Sequence, residues 1–165
     1  MDDLTRDSLK KMVDAAVLKV IQYPNSGSFR CHEMIRGVRN EISDESGFLI
    51  NVCDGIATYQ ADYLNQLFKD RDHLYSSAEF RDFLTANRTK PFAVPHSWGE
   101  VDEFIIDCHQ NIDVNGCSSI SQIRLVHSKD EIKGKVDYDA RGSEFSLFGM
   151  KFFYVPPLYV TRIKI

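Results

Sequence analysis

Three residues of this chain, Cys31, His96 and Asp107, are of the types that cut or transfer acyl groups when brought together. The thiolate attacks a carbonyl carbon, the imidazole moves the proton, and the carboxylate holds the imidazole in the right tautomer and orientation. The last two sit in the stretch Pro95-His96-Ser97-Trp98-Gly99-Glu100-Val101-Asp102-Glu103-Phe104-Ile105-Ile106-Asp107, which reads as two short strands around a polar turn. With Asp102 and Glu103 as the turn, Val101 lies opposite Phe104 and Trp98 opposite Asp107. His96, two residues beyond Trp98, shares its face because side chains alternate along a strand, so His96 and Asp107 become diagonal neighbours. Any turn of even length keeps them on one face, and an odd one separates them.

The nucleophile needs an environment that favours its anion. Phe29 to Ile42 is predicted as a helix with Met34, Ile35 and Val38 facing a core and Ser28 as a cap, which puts Cys31 in the first turn. The unpaired amides and positive dipole end there stabilise a thiolate, and a neighbouring imidazolium stabilises it further. Acyl chemistry also needs donors for the developing oxyanion. The Cys31 amide is one, and Asn25 in the preceding loop is the expected second. Trp98 reads as core and as a wall keeping water from the thiolate pair.

The elements carrying these residues follow from periodicity. Leu9, Met12, Val13, Ala16, Val17 and Val20 recur at helical spacing, predicting a helix over about Thr5 to Gln22 capped by Thr5 or Asp3. Tyr23 to Ser28 breaks it. A turn at Asp44-Glu45-Ser46-Gly47 leads to a buried strand, Phe48 to Cys53, ending at Asp54-Gly55 with Ile56 to Tyr59 as a possible continuation. Tyr63 to Phe68 fits a short helix, and Ser76-Ser77-Ala78-Glu79 is a capping box opening another through Asn87. Beyond Pro91 the pattern is strands: the hairpin, Ser121 to His127, Gly134 to Tyr138, Glu144 to Leu147, Met150 to Val155 and Tyr159 to Ile165, punctuated by Gly142, Gly149 and Pro156-Pro157. One α+β domain is expected, with N-terminal helices packed on an antiparallel sheet.

The 165 residues, 43% of them hydrophobic, suit one core and are short for two. With 24 acidic against 20 basic residues, a net charge of −4 and no basic run, nucleic-acid binding is disfavoured. No apolar stretch approaches the roughly 20 residues of a membrane-spanning helix, and the acidic start Met1-Asp2-Asp3 is wrong for a secretory signal. A cytoplasmic protein without membrane partners is expected, with Cys31, Cys53, Cys108 and Cys117 as free thiols. Nothing in the chain specifies an oligomeric state.

The order of these residues resembles the transglutaminase-like branch of the papain-like cysteine enzymes. His96-Ser97-Trp98-Gly99-Glu100-Val101 is similar to that family's His-x-Trp-x-Glu-Val strand, and Phe104 to Asp107 to the strand bearing its Asp. Gly27 to Cys31 resembles the glycine-rich approach to the nucleophile, and Phe48 to Gly55 the strand after the catalytic helix. The likeness covers about Ser26 to Cys108, with His32 and Glu33 in place of small or aromatic residues. It implies a single catalytic domain, 1–165, with a helical insertion at about 60–90. It also implies a Cys31-His96-Asp107 triad acting on peptide or glutamine side-chain amides of a protein or peptide substrate through a thioester, without cofactor. Hydrolysis (protease, amidase or deamidase) is favoured over acyl transfer, since nothing marks an amine-acceptor site.

Plainer readings compete. Cys31 alone would read as a buried structural thiol, His96 as an edge histidine and Asp107 as a surface carboxylate; only the spacing joins them. An Asp ending the apolar run Phe104 to Ile106 is costly to bury without a partner. Cys31-His32 and Cys108-His109 together offer two sulfurs and two nitrogens to zinc, but neighbours on a strand point to opposite faces, so no metal is expected. Cys108 reads as core. Glu100, Asp102 and Glu103 read as a solvated turn, and His73 and His127 as surface residues without partners. The runner-up function is a binding or inhibitor module that keeps the fold without the reaction.

Overall fold

Thr5 starts the first helix by the reciprocal device of a capping box: the Ser8 amide donates to Thr5 Oγ1 at 3.2 Å and the Thr5 amide to Ser8 Oγ at 3.1 Å. The helix α1 spans Arg6–Val20 and buries Leu9, Val13, Ala16, Val17 and Val20. These elements are seen in a computed structural model, which describes residues 4–24, 31–63, 89–111, 121–142, 144–147 and 149–153. Asn25, Ser28, Cys117, the helices expected at Tyr63 to Phe68 (beyond Tyr63) and Ser76 to Asn87, and the strand at Tyr159 to Ile165 lie outside the described residues.

The second helix, α2, spans Cys31–Ser46 and buries Met34, Ile35, Val38 and Ile42. It runs past the turn expected at Asp44 to Gly47. The stop is Gly47, whose φ of 72° a side chain resists and whose amide closes onto the Ser43 carbonyl at 2.9 Å. Strand β1 (Asn51–Tyr59) begins later than expected and runs straight through Asp54 and Gly55 into the continuation offered by Ile56 to Tyr59. Asp54 does not terminate it because its charge is paired. Gly55 does not because its bareness is needed: a Cβ there would lie 2.1 Å from the Asp139 carbonyl oxygen of the adjoining strand.

Strands β2 (Phe92–Val101) and β3 (Phe104–Asn111) form the expected hairpin about Asp102 and Glu103, with Val101 opposite Phe104. Asp102 has φ 49°, a left-handed conformation that Asp tolerates in tight turns. Strand β4 (Ser121–Ser128) pairs with β3, and β5 (Val136–Ala140) with β1. Between them lies a one-turn helix not foreseen, α3 (Lys129–Ile132), capped by Ser128 Oγ on the Glu131 amide at 3.1 Å. Four residues are too few to show a period. The pair β6 (Glu144–Leu147) and β7 (Met150–Phe153) forms a separate ribbon.

The order β4-β3-β2-β1-β5 is antiparallel throughout. Alternation divides the strand side chains between two cores. Val101, Phe104, Ile106, Cys108 and Val126 pack with α1 and α2, whereas Ala57, Tyr59, Trp98, Ile105 and Val136 pack on the other face with Ile132 of α3. Each large side chain so buried contributes about 1.5–3 kcal/mol. The result is a mixed α+β fold of N-terminal helices and a curled antiparallel sheet. No helix among the described residues is long and apolar enough to cross a membrane. Cys31, Cys53 and Cys108 are free thiols, the last fully buried as core.

Candidate active site

The site lies where β2 and β3 part. Their ladder covers Gly99 with Ile106, Glu100 with Ile105 and Val101 with Phe104, and ends before Trp98 and Asp107. Both strands continue, β2 held on its far edge by β1 and β3 by β4. Across the opening, side chains replace the backbone bonds: His96 Nε2 lies 2.8 Å from Asp107 Oδ1, both residues being buried. This is the diagonal contact the turn parity predicts.

Asp107 is fully buried and accepts on its other oxygen from two phenols, Tyr138 at 2.6 Å and Tyr59 at 3.2 Å. In a flat sheet β5 would stand three spacings of about 4.8 Å from β3, beyond the reach of a phenol. The curl closes that distance. Burial and then the nearby charge of Asp107 hold both phenols well above their usual pKa, so they remain donors. Three donors on one carboxylate offset the cost of burying it.

Cys31 is the first residue of α2, half-buried, and its sulfur is hydrogen-bonded to His96. Because Nε2 of that ring is engaged by Asp107, the nitrogen left for the sulfur is Nδ1. Burial pushes the thiol up, but hydrogen bonds from His32 and His96, the charge of His96 and the Ser97 amide outweigh it and lower the pKa to about 6. Burial lowers His96, but the charge and hydrogen bond of Asp107 and the contact with Cys31 leave it raised well above its usual value. Both shifts favour a thiolate beside an imidazolium over the neutral pair.

A second buried aspartate fixes the helix that carries the sulfur. Arg36 of α2 grips Asp54 of β1 with two bonds, Nη1 to Oδ1 at 3.0 Å and Nη2 to Oδ2 at 2.6 Å. Ser97 Oγ donates to Asp54 Oδ1 at 2.6 Å, and Arg36 Nη1 also donates to the His32 carbonyl at 3.1 Å. The first turn of α2 is thus tied to the strand residue next to His96.

Trp98 is fully buried on the His96 face, its ring stacked near the imidazole at 6.5 Å between centroids and tilted against Tyr138 at 5.0 Å. Its indole nitrogen donates to Glu100 Oε1 at 3.0 Å, and Lys129 Nζ reaches Glu100 Oε2 at 2.8 Å. Glu100 is therefore not part of the solvated turn with Asp102 and Glu103; alternation turns it inward beside Trp98. His127 is likewise not a partnerless surface residue: it is half-buried, with Nε2 3.3 Å from the Tyr63 hydroxyl.

Sequence reasoning missed Tyr59, Tyr138, His32, Arg36 and Asp54. For His32 and Glu33 a signal existed: an imidazole and a carboxylate directly after the proposed nucleophile. Among the described residues no group of three or more His, Cys, Asp or Glu side chains is arranged to hold a metal ion. Comparison of the chain with protein-family profiles, curated proteins and solved structures gave no significant match.

Proposed function

We propose that the protein is a thiol enzyme acting on amide bonds of a peptide or protein, by hydrolysis in preference to transfer, through a thioester on Cys31. The observation that carries this is the unbroken chain from the Cys31 sulfur through the His96 ring to Asp107, with the sulfur at a helix start. In the reaction the Cys31 thiolate attacks the carbonyl carbon, and His96 delivers its proton to the leaving nitrogen. Water then attacks the thioester, with His96 accepting its proton, and the C–S bond breaks to release the acid and restore the Cys31 thiolate. Asp107, fixed by Tyr59 and Tyr138, keeps the ring oriented. The transglutaminase-like identity of the core belongs to the same proposal, supported by the order Cys, His, Asp and by the hairpin. So does a cytoplasmic setting, which suits a reactive free thiol.

The test is chemical selectivity. Iodoacetamide at neutral pH should label Cys31 rapidly and stoichiometrically with the other thiols protected, at a rate that rises with pH through about 6. His96→Ala should abolish that selectivity. Acetylation of Cys31 by p-nitrophenyl acetate, read by intact mass, tests the acyl step. Slow, equal labelling of all four cysteines would refute the enzyme and favour a binding module.

A further inference from the structure

The Cys31 sulfur carries a second imidazole. His32, the next residue of α2, hydrogen-bonds to it, and His32 Nε2 lies 3.0 Å from Glu33 Oε1. With that nitrogen on Glu33, the one left for the sulfur is Nδ1. Three consecutive residues therefore repeat the sulfur, imidazole and carboxylate order that His96 and Asp107 build from two strands. The Arg36 bond to the His32 carbonyl holds this turn in place.

The two imidazoles are not equivalent. The His96 side chain is 6% exposed against fully buried Asp107, whereas that of His32 is 19% exposed. Acyl chemistry makes two separate demands: a proton that travels to the leaving nitrogen, and a donor that stays to hold the oxygen that becomes anionic. His96 meets the first. The carbonyl oxygen of a bound amide ends two bonds from the sulfur, so a donor touching the sulfur reaches it by a small swing.

We propose that His32 is a second catalytic residue of the thiol chemistry set out above, on which this assignment rests: its Nδ1–H follows the negative charge from the Cys31 sulfur to the carbonyl oxygen and holds the oxyanion. A sulfur lone pair forms the S–C bond while the C=O π pair moves onto oxygen, where His32 donates. When that pair returns, the C–N bond breaks and the leaving nitrogen takes the proton held by His96. The His32 proton stays where it is.

Two reactions of one thiol separate this role from mere stabilisation of the thiolate. Alkylation by iodoacetamide expels iodide and forms no oxyanion; acylation by p-nitrophenyl acetate passes through one. Both need the thiolate, so the ratio of their rates at one pH removes the influence of His32 on the sulfur. In the full chain, His32→Ala should lower the acylation-to-alkylation ratio by about 10²-fold, and His32→Gln, which keeps an N–H donor, should restore part of it. Glu33→Gln gives a second reading that does not depend on the folding of His32→Ala. In the unaltered protein the ratio should fall as pH rises through about 9, where His32 loses its proton, and in Glu33→Gln that fall should move to lower pH. An unchanged ratio in His32→Ala, or an unmoved fall in Glu33→Gln, overturns the assignment and leaves the acyl chemistry standing. A protein that alkylates selectively at Cys31 and is never acylated overturns both.

Discussion

Two buried aspartates reach adjacent residues of one strand from opposite faces of the sheet: Asp54 binds Ser97, and Asp107 binds His96. Asp54 meets a fixed guanidinium with matched geometry and fastens α2 to β1 and β2. Asp107 meets a titratable ring and two neutral phenols. The same side chain thus serves as anchor where its partner cannot change charge, and as orienting group where its partner must. Burial alone does not distinguish the two; the chemistry of the partners does.

The sharpest way to break this comparison is Asp107→Asn. Under the proposed function it should slow acylation of Cys31 on the order of 10⁴-fold, with unfolding by urea still cooperative. Equal losses of rate and of fold would make Asp107 a second anchor. Arg36→Met should do the reverse: it leaves Asp54 buried without its cation, costing about 3–5 kcal/mol in urea unfolding. Adding Asp54→Asn to that variant removes the orphaned charge and should recover about 1–4 kcal/mol; no recovery would deny the pairing. Tyr138→Phe should cost about 1 kcal/mol, and Tyr59→Phe less, in keeping with its longer bond of 3.2 Å against 2.6 Å.

A pH titration of stability reads two slopes of opposite sign. The Cys31 pKa falls on folding from about 9 to about 6, so its contribution is present in full above pH 9 and is lost as pH falls through 6. The His32 pKa rises from 6.5 to about 9, so its contribution is present in full below pH 6.5 and is lost as pH rises through 9. Cys31→Ala should remove the first slope, and with it part of the second, because the sulfur is one of the groups that raises His32.

The hairpin was legible because turn parity fixes register, and register decides which side chains share a face. Cys31 was legible because helix starts and apolar periodicity are local signals. Tyr59 and Tyr138 were not: they lie 48 and 31 residues from Asp107 in the chain and meet it only once β1 and β5 have joined the sheet and the sheet has curled. Arg36 and Asp54, 18 residues apart, likewise meet only after α2 packs on β1. The sequence leaves the end of β1 open between Asp54-Gly55 and Tyr59 because local rules treat Asp-Gly as punctuation, whereas here a cation neutralises the Asp and a neighbouring backbone occupies the space beside the Gly.

That space has a consequence for the chemistry. A methyl group on residue 55 would strike the carbonyl of Asp139 and lever the fifth strand outward, and the phenol one residue before that carbonyl would travel with it. The carboxylate facing the imidazole would lose its shorter tether. A position that lends no atom to the reaction therefore governs it through an atom it lacks, and Gly55→Ala should disturb the thiol's reactivity from the strand beside the one that carries His96.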